Sequence, residues 1–341
     1  MKVLVIGGTR FIGIRVVRRL IEEGHEVTVF HRGQTNSEIP ASVKHILGDR
    51  SNLSGFASEF ARIAPDVVLD MICYNEQETE TLMNTFRGIA RRLVVASSMD
   101  VYRVYGCLLG LEGARPDPMP LSEDSPLRKS RFPYRGQAKG PGDMAFDYDK
   151  IPVESVVMSD PDFPGTVLRL PAVYGPGDHR AFEHLKRMED GRPVILLEEG
   201  HSRWRWTRGY VDNVAAAIAL AVTDDRAANR IYNVGEPDAL TESEWVFSIG
   251  LAAGWTGEIV VLPKEAMPEH LAAPYNFEHH LGADTGRIRR DLGCLEHITR
   301  GEAVSETVDW ERAHPPDQFD AGRFNYAAED AALEKLASPR S

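Results

Sequence analysis

The chain has 341 residues, enough for one large α/β domain with a smaller lobe beside it. Its net charge of −12 argues against a general nucleic-acid binder, which needs Lys and Arg to displace phosphate counterions. No apolar run approaches the roughly 18 residues of a membrane span, and no signal peptide is legible before the first strand, so a cytoplasmic protein is expected.

Val3–Ile6 is a short apolar run that breaks into Gly7-Gly8-Thr9-Arg10-Phe11-Ile12-Gly13. An amphipathic helix is expected from Phe11 to Glu23, with Ile12, Val16, Val17, Leu20 and Ile21 on one face. Gly24 stops it, and Val27–Phe30 reads as a second strand. Lys44–Leu47, Val67–Met71 and Leu93–Ala96 are further strands, with helices near Leu53–Ile63 and Glu76–Ile89 between them. Buried runs alternating with helices predict a doubly wound parallel α/β sheet of the Rossmann type. Residues 103–145, rich in Pro, Gly, Arg and Asp, break the rhythm and read as a long inserted loop. The pattern resumes with a helix near Phe146–Met158 and a strand at Thr166–Leu170. Pro193–Leu197 and Arg230–Val234 are later strands, and Val211–Val222 and Glu242–Ala253 later helices. The expected division is a dinucleotide-binding domain over 1–175, rejoined by about 211–235. A smaller C-terminal α/β substrate lobe takes 176–210 and 236–315, and 316–341 is a polar, Ala-rich tail.

The glycine turn lets backbone N–H groups at a helix N-terminus face a pyrophosphate, where the helix dipole favours negative charge. Gly7 and Gly13 fit the outer glycines of the usual fingerprint, whereas Arg10 stands at the middle one. Thr9, Phe11 and Ile12 complete the turn. The end of the second strand would carry an acid for the ribose of NAD, and here it carries His31 and Arg32. Arg32 can pair bidentately with a 2′-phosphate and Arg10 lies within reach of it, so NADP is expected over NAD. A plain reading as solvated surface charges stays open for both. Asp49, after the third strand and beside Arg50, can accept from an adenine amino group. Cys73, Cys107 and Cys294 are too few and scattered for a disulfide framework, and nothing has metal-ligand spacing.

Five segments follow in order: Val95-Ala-Ser-Ser-Met-Asp-Val-Tyr102, Leu168-Arg-Leu-Pro-Ala-Val-Tyr-Gly-Pro-Gly-Asp178, Tyr210-Val-Asp-Asn-Val214, Tyr232-Asn-Val-Gly235 and Asp284-Thr-Gly-Arg-Ile-Arg-Arg-Asp-Leu-Gly293. With the glycine turn, they resemble the extended and atypical short-chain dehydrogenase/reductase superfamily in its NAD-dependent epimerase/dehydratase-like branch. The likeness runs from residue 1 to about residue 310. The turn is most similar to that of atypical members, which include plant chloroplast stem-loop RNA-binding proteins.

The resemblance implies a serine that holds the substrate oxygen and a Tyr-x-x-x-Lys pair on one helix face. Ser98 matches the serine, and Lys150, opening Lys150-Ile-Pro-Val-Glu154, matches the lysine that serves both cofactor and chemistry. Pro171 and Val173 match the segment that touches the nicotinamide. Phe146 stands four residues before Lys150, where the tyrosine is usual. Tyr134 and Lys139 are no substitute, being five apart in a Gly- and Pro-rich stretch. Three readings stay open. Tyr148 reaches the site if the helix starts late, or Tyr134, Tyr102 or Tyr105 substitutes. Otherwise there is no phenolic acid, and the protein is a non-catalytic NADP-binding regulator or an RNA-binding relative.

On the substrate side stand Asp70 after the fourth strand, Tyr102, Tyr174 and the run Arg203-Trp-Arg-Trp-Thr-Arg208. Arg203, Arg205 and Arg208 with two tryptophans suit a phosphate or carboxylate and a stacking face. The same run also reads as a strand with Arg outward and Trp inward. His179, His279 and His280 are proton-transfer candidates that read equally as structural. The implied function is NADP(H)-linked oxidoreductase or epimerase chemistry on a sugar, polyol or nucleotide-sugar, by a homodimer.

Overall fold

The computed structural model describes residues 1–35 and 39–337. It opens on β1 (Lys2–Ile6), α1 (Phe11–Glu22), β2 (Glu26–His31) and β3 (Lys44–Leu47). There follow α2 (Ala57–Ile63), β4 (Val67–Asp70), α3 (Glu76–Phe86), β5 (Arg92–Ser98) and α4 (Arg103–Leu108). After the insert come α5 (Met144–Asp147), α6 (Lys150–Val157), β6 (Gly165–Leu170) and β7 (Ala172–Tyr174). The chain then forms α7 (Phe182–Glu189), β8 (Val194–Glu198), α8 (Glu199–Arg203), β9 (Arg208–Tyr210), α9 (Val211–Thr223) and β10 (Arg230–Asn233). It ends with α10 (Glu242–Ala253), β11 (Glu258–Leu262), α11 (Gly286–Leu292), α12 (Arg300–Ala313) and α13 (Tyr326–Ala337).

Seven strands form one parallel sheet in the order β10-β6-β5-β4-β1-β2-β3. Val3 and Val5 belong to the core shared with α1 and α9, while Leu4 and Ile6 belong to the core shared with α2, α3 and α6. Both faces of β1 are therefore buried, which is why it reads as an unbroken apolar run. Strand order reverses between β1 and β4, and a doubly wound sheet opens a crevice at the carboxyl ends of its strands there. The Ala-rich α9 packs against α1, and β10 extends the sheet beside β6, so residues 211–233 pack with the seven-stranded sheet. In the remainder β8 pairs with β11 and β7 with β9, both parallel.

Three segments differ from the sequence reading. The helix expected over 146–158 is broken: Tyr148 is extended (φ −64°, ψ 120°), and Asp149 caps α6 by accepting from the Ile151 N–H. Pro152 explains the break. In a continuous helix its ring would clash with the Tyr148 carbonyl, whereas in the first turn of α6 it displaces no bonded N–H. The insert is anchored, with Leu121, Glu123 and Arg128 buried and Leu121 bridged to Ala283. The polar tail is a docked helix through residue 337. Glu329 of α13 is buried against Arg187, 3.1 Å away, and His270. Residues 338–341 lie outside the described residues.

Candidate active site

A cavity of about 860 Å³ lies over the carboxyl ends of β1 and β2. The glycine turn forms its floor, residues 30–35 and 48–50 one wall, and Tyr74, Asn75 and Glu78 the other. Gly142, Asp143, Met144 and Asp147 close over part of it. The turn is tight enough to exclude side chains, since a Cβ on Gly13 would lie 2.5 Å from the Gly8 Cα. Phe11, at φ +36°, takes a left-handed conformation at the head of α1, a local strain of the kind found at ligand sites. Arg10 is the N-cap residue but supplies no capping hydrogen bond, and the first turn of α1 holds no acidic residue. N–H groups aimed at a cavity under a positive dipole, with no internal anion to satisfy them, fit a dinucleotide pyrophosphate. Gly13→Ala is therefore expected to weaken dinucleotide binding by about tenfold or more, ~1.4 kcal/mol, as measured by calorimetry.

The wall formed by the ends of β2 and β3 is basic. Arg10, Arg32 and His31 all line the cavity, with Arg10 Nε donating to Thr35 Oγ1 at 3.2 Å and Arg32 exposed on the rim. His31 Nε2 lies 2.8 Å from His45 Nδ1. Asp49 Oδ1 accepts from the Ser51 N–H and hydroxyl, and these bonds hold its carboxyl below the usual range. Arg50, on the cavity wall, pairs with Asp70, yet its buried Nη2 has no hydrogen-bond partner among the described residues. Asp70 is not a substrate acid. It is fully buried, bound to Arg50 and to the Ile72 N–H at 2.9 Å. Pro171 and Val173 follow β6 outside the cavity wall, and Val173 is buried in the core.

Tyr148, released from helical geometry, turns its hydroxyl toward the end of β5. It donates to Asp100 Oδ2 at 2.8 Å, in the turn that Ser98 caps by accepting from the Asp100 N–H. Tyr134 Oη joins the same carboxylate oxygen at 3.0 Å and lies 3.0 Å from Tyr105 Oη. Lys150 is buried, its Nζ donating to the carbonyls of Cys73 (2.5 Å) and Ala96 (2.8 Å). That ammonium sits 5.7 Å from the centre of the Tyr148 ring and 4.9 Å from that of Tyr74. Burial lowers the lysine pKa, while burial and the Asp100 charge push the Tyr148 phenol well above its ordinary value. Phe146 is elsewhere, on α5, with its ring under the Arg135 guanidinium at 4.7 Å. The four-residue spacing to Lys150 has no meaning across the break. Asp100 escaped the sequence reading because a lone acid after a strand carries no signal without its tyrosine partners.

Other substrate candidates are structural. Tyr102 is fully buried, donating to Asn233 Oδ1 at 2.6 Å and accepting from Arg169 at 3.1 Å. Tyr174 is buried and donates to Glu236 at 2.7 Å. Each arginine of the 203–208 run meets a carboxylate instead of a common pocket. Arg203 pairs with Glu199 on the surface, Arg205 lies 3.5 Å from Glu244, and buried Arg208 bonds Glu242 at 2.5 Å. Arg203 ends α8 and Arg208 opens β9, so the run is not one strand, and a separate acid holds each arginine apart from the others. His179 binds Glu311 at 2.5 Å, His280 accepts from the Arg205 N–H, and His279 is buried. Cys73, Cys107 and Cys294 are free and buried, and no metal cluster exists among the described residues.

Residues 3–235 match the NAD dependent epimerase/dehydratase family. The chain is 26% identical over 309 residues to the 2′-dehydrokanamycin reductase of Streptomyces kanamyceticus, covering 87% of this chain and 79% of that protein. It is likewise 26% identical over 357 residues to the chloroplast stem-loop binding protein of 41 kDa b of Arabidopsis thaliana, covering 98% and 84%. In fold it is similar to the Thermus thermophilus UDP-glucose 4-epimerase solved with NAD, with a TM-score of 0.65 at 23% identity over 92% and 99% of the two chains. A glycine turn at the head of a doubly wound sheet, continued through the later landmarks, makes this chain a member of the NAD-dependent epimerase/dehydratase family.

Proposed function

We propose that the chain is an NADP(H)-linked oxidoreductase or epimerase acting at a carbonyl or hydroxyl of a sugar or polyol. The observation that carries this reading is the position of Tyr148, whose hydroxyl reaches Asp100 just beyond the strand that ends in Ser98 and whose ring lies beside the Lys150 ammonium. When bound, the nicotinamide would exchange a hydride with the substrate carbon. Ser98 would hold the substrate oxygen, and Tyr148 would give or take its proton. Lys150 would fix the Cys73 and Ala96 backbone around the site and supply a positive charge that favours an oxyanion. Arg203, Arg205 and Arg208 are tied to acids, which favours a sugar or polyol over a nucleotide-sugar with its pyrophosphate. The Streptomyces relative, named for reduction of a dehydro-aminoglycoside, supports the same preference.

The test is a screen of the purified protein with NADPH and NADP against keto-sugars, dehydro-aminoglycosides and UDP-glucose, followed by absorbance and mass spectrometry. Turnover that disappears in Tyr148→Phe is expected; turnover retained in that variant would remove the tyrosine from the chemistry. Arg10 and Arg32 on the adenosine rim support NADP over NAD. Arg32→Ala is expected to weaken NADP binding by about 10- to 100-fold, ~1.5–3 kcal/mol for a charge-assisted bond, and NAD binding by less than about twofold. Equal losses in calorimetry would exclude a 2′-phosphate contact. The Arabidopsis relative keeps an RNA-binding reading in view, against which the net charge of −12 weighs. Absence of salt-dependent binding to a structured RNA at low ionic strength is the expected result.

A further inference from the structure

We infer that Asp100 is the positioning residue of this site and the terminal station of its proton: as Tyr148 takes the proton of the substrate hydroxyl, it passes its own to the Asp100 carboxylate. The inference rests on the role proposed for Tyr148.

Asp100 lies in the single turn Met99–Val101 that follows β5, and only 4% of it is exposed. Its Oδ2 receives both the Tyr148 and the Tyr134 hydroxyls, while its Oδ1 has no hydrogen-bond partner among the described residues. The nearest cation, Arg128 Nη2, is 3.7 Å from Oδ1. Arg128 is held elsewhere, by the Asp100 and Ser130 carbonyls and by Asp149. Neighbouring Asp149 shows what a structural carboxylate looks like here. It is equally buried, but it meets Arg131, Arg128 and the N–H groups of Phe132 and Ile151. A buried carboxylate with one oxygen outside any hydrogen bond, and its cation held 3.7 Å away by other partners, is costly, and its hydroxyl partners are the groups that carry protons.

The groups facing Tyr148 decide the form of the step. They are Asp100, Ser98 and Arg128 around the hydroxyl, and Lys150, Tyr74 and Tyr134 around the ring. Lys150 Nζ is committed to two carbonyls, so a free Tyr148 phenolate would stand beside Asp100 as a second negative charge 2.8 Å away. Coupled transfer avoids that state. In alcohol oxidation, the substrate O–H breaks and its proton bonds to Tyr148 Oη as the Tyr148 proton bonds to Asp100 Oδ2. The carbinol carbon loses a hydride to the oxidised nicotinamide, leaving a carbonyl. Tyr148 begins and ends neutral, and carbonyl reduction runs the same transfers backward.

Asp100→Asn keeps the shape and one acceptor but cannot take a proton. Tyr148 ionisation is read from phenolate absorbance as the difference between each protein and its Tyr148→Phe counterpart. Asp100→Asn should move that ionisation down by about one pH unit or more, because the adjacent negative charge is gone. On the substrate identified in the screen, kcat should fall about 100-fold with KM within about twofold, and Asp100→Glu should restore part of the loss. An unmoved ionisation with kcat within about twofold overturns the relay. If Tyr148→Phe abolishes turnover in that case, the role of Tyr148 stands and only Asp100 is misassigned. If Tyr148→Phe leaves turnover intact, the proposed function itself fails. Should Asp100→Asn not fold, a proton inventory on the unaltered protein decides. A bowed dependence on deuterium fraction supports two moving protons, and a linear one excludes them.

Discussion

Lys150→Met is expected to lower turnover by at least about 100-fold and to cost about 2–4 kcal/mol of folding stability. The side chain is only 4% exposed, and its Nζ bridges the Cys73 carbonyl beyond β4 and the Ala96 carbonyl within β5. It therefore ties the first turn of α6 to two strand ends that border the site. Methionine fills the same volume but donates nothing, so two carbonyls lose their partner in a place water does not readily reach. The positive charge beside the Tyr148 ring is lost at the same time. Urea unfolding and turnover on the screened substrate check the two halves separately. Turnover within twofold of the unaltered protein would sink the role given to the lysine, whatever the stability change.

Glu154→Ala is expected to destabilise the chain by about 3–5 kcal/mol, lowering the thermal midpoint by roughly 4–7 °C. Arg169 of β6 is 2% exposed, and its guanidinium makes three hydrogen bonds of 2.7–3.2 Å to the Glu154 carboxylate. Ser97 donates to the same carboxylate at 2.6 Å. Without Glu154, a buried cation keeps only the Tyr102 hydroxyl and the Glu123 carbonyl. Glu154→Gln should cost less, because it retains acceptors while losing the charge. A midpoint for Glu154→Ala within about 2 °C of the unaltered chain would show that Arg169 finds another partner. The pair joins α6 to β5 and β6, so it also carries the backbone that presents Ser98 and Lys150.

The parallel sheet was legible because both faces of its strands are buried, leaving continuous apolar runs such as Val67–Leu69. Helix α10 was expected over Glu242–Ala253, and the structure adds what fixes its ends: Thr241 and Glu244 form a capping box and Gly254 ends it. The break at Tyr148 was written in Asp149 and Pro152, but a pattern of apolar spacing overrides such local marks when read alone. Family spacing then directed attention to Phe146, a position that shares a face with Lys150 only on an unbroken helix. Residues such as Arg208 and Tyr174 looked functional because polar side chains in a motif do not reveal which acid they meet after folding. The docked α13 was missed because polar contacts hold it, Glu329 with Arg187 and His270, Asp330 with Arg192 and Tyr326 with Asp190, and these leave little periodic signal.

The most direct measurement is a crystal structure of the protein with bound NADP. The expected result places the pyrophosphate at the Gly7–Gly13 turn, the 2′-phosphate against Arg32 and Arg10, and the Tyr148 hydroxyl as the phenol nearest the substrate space beside the nicotinamide. A structure in which Tyr148 lies walled off from the nicotinamide, with no other hydroxyl facing it, would contradict an enzymatic role for this site.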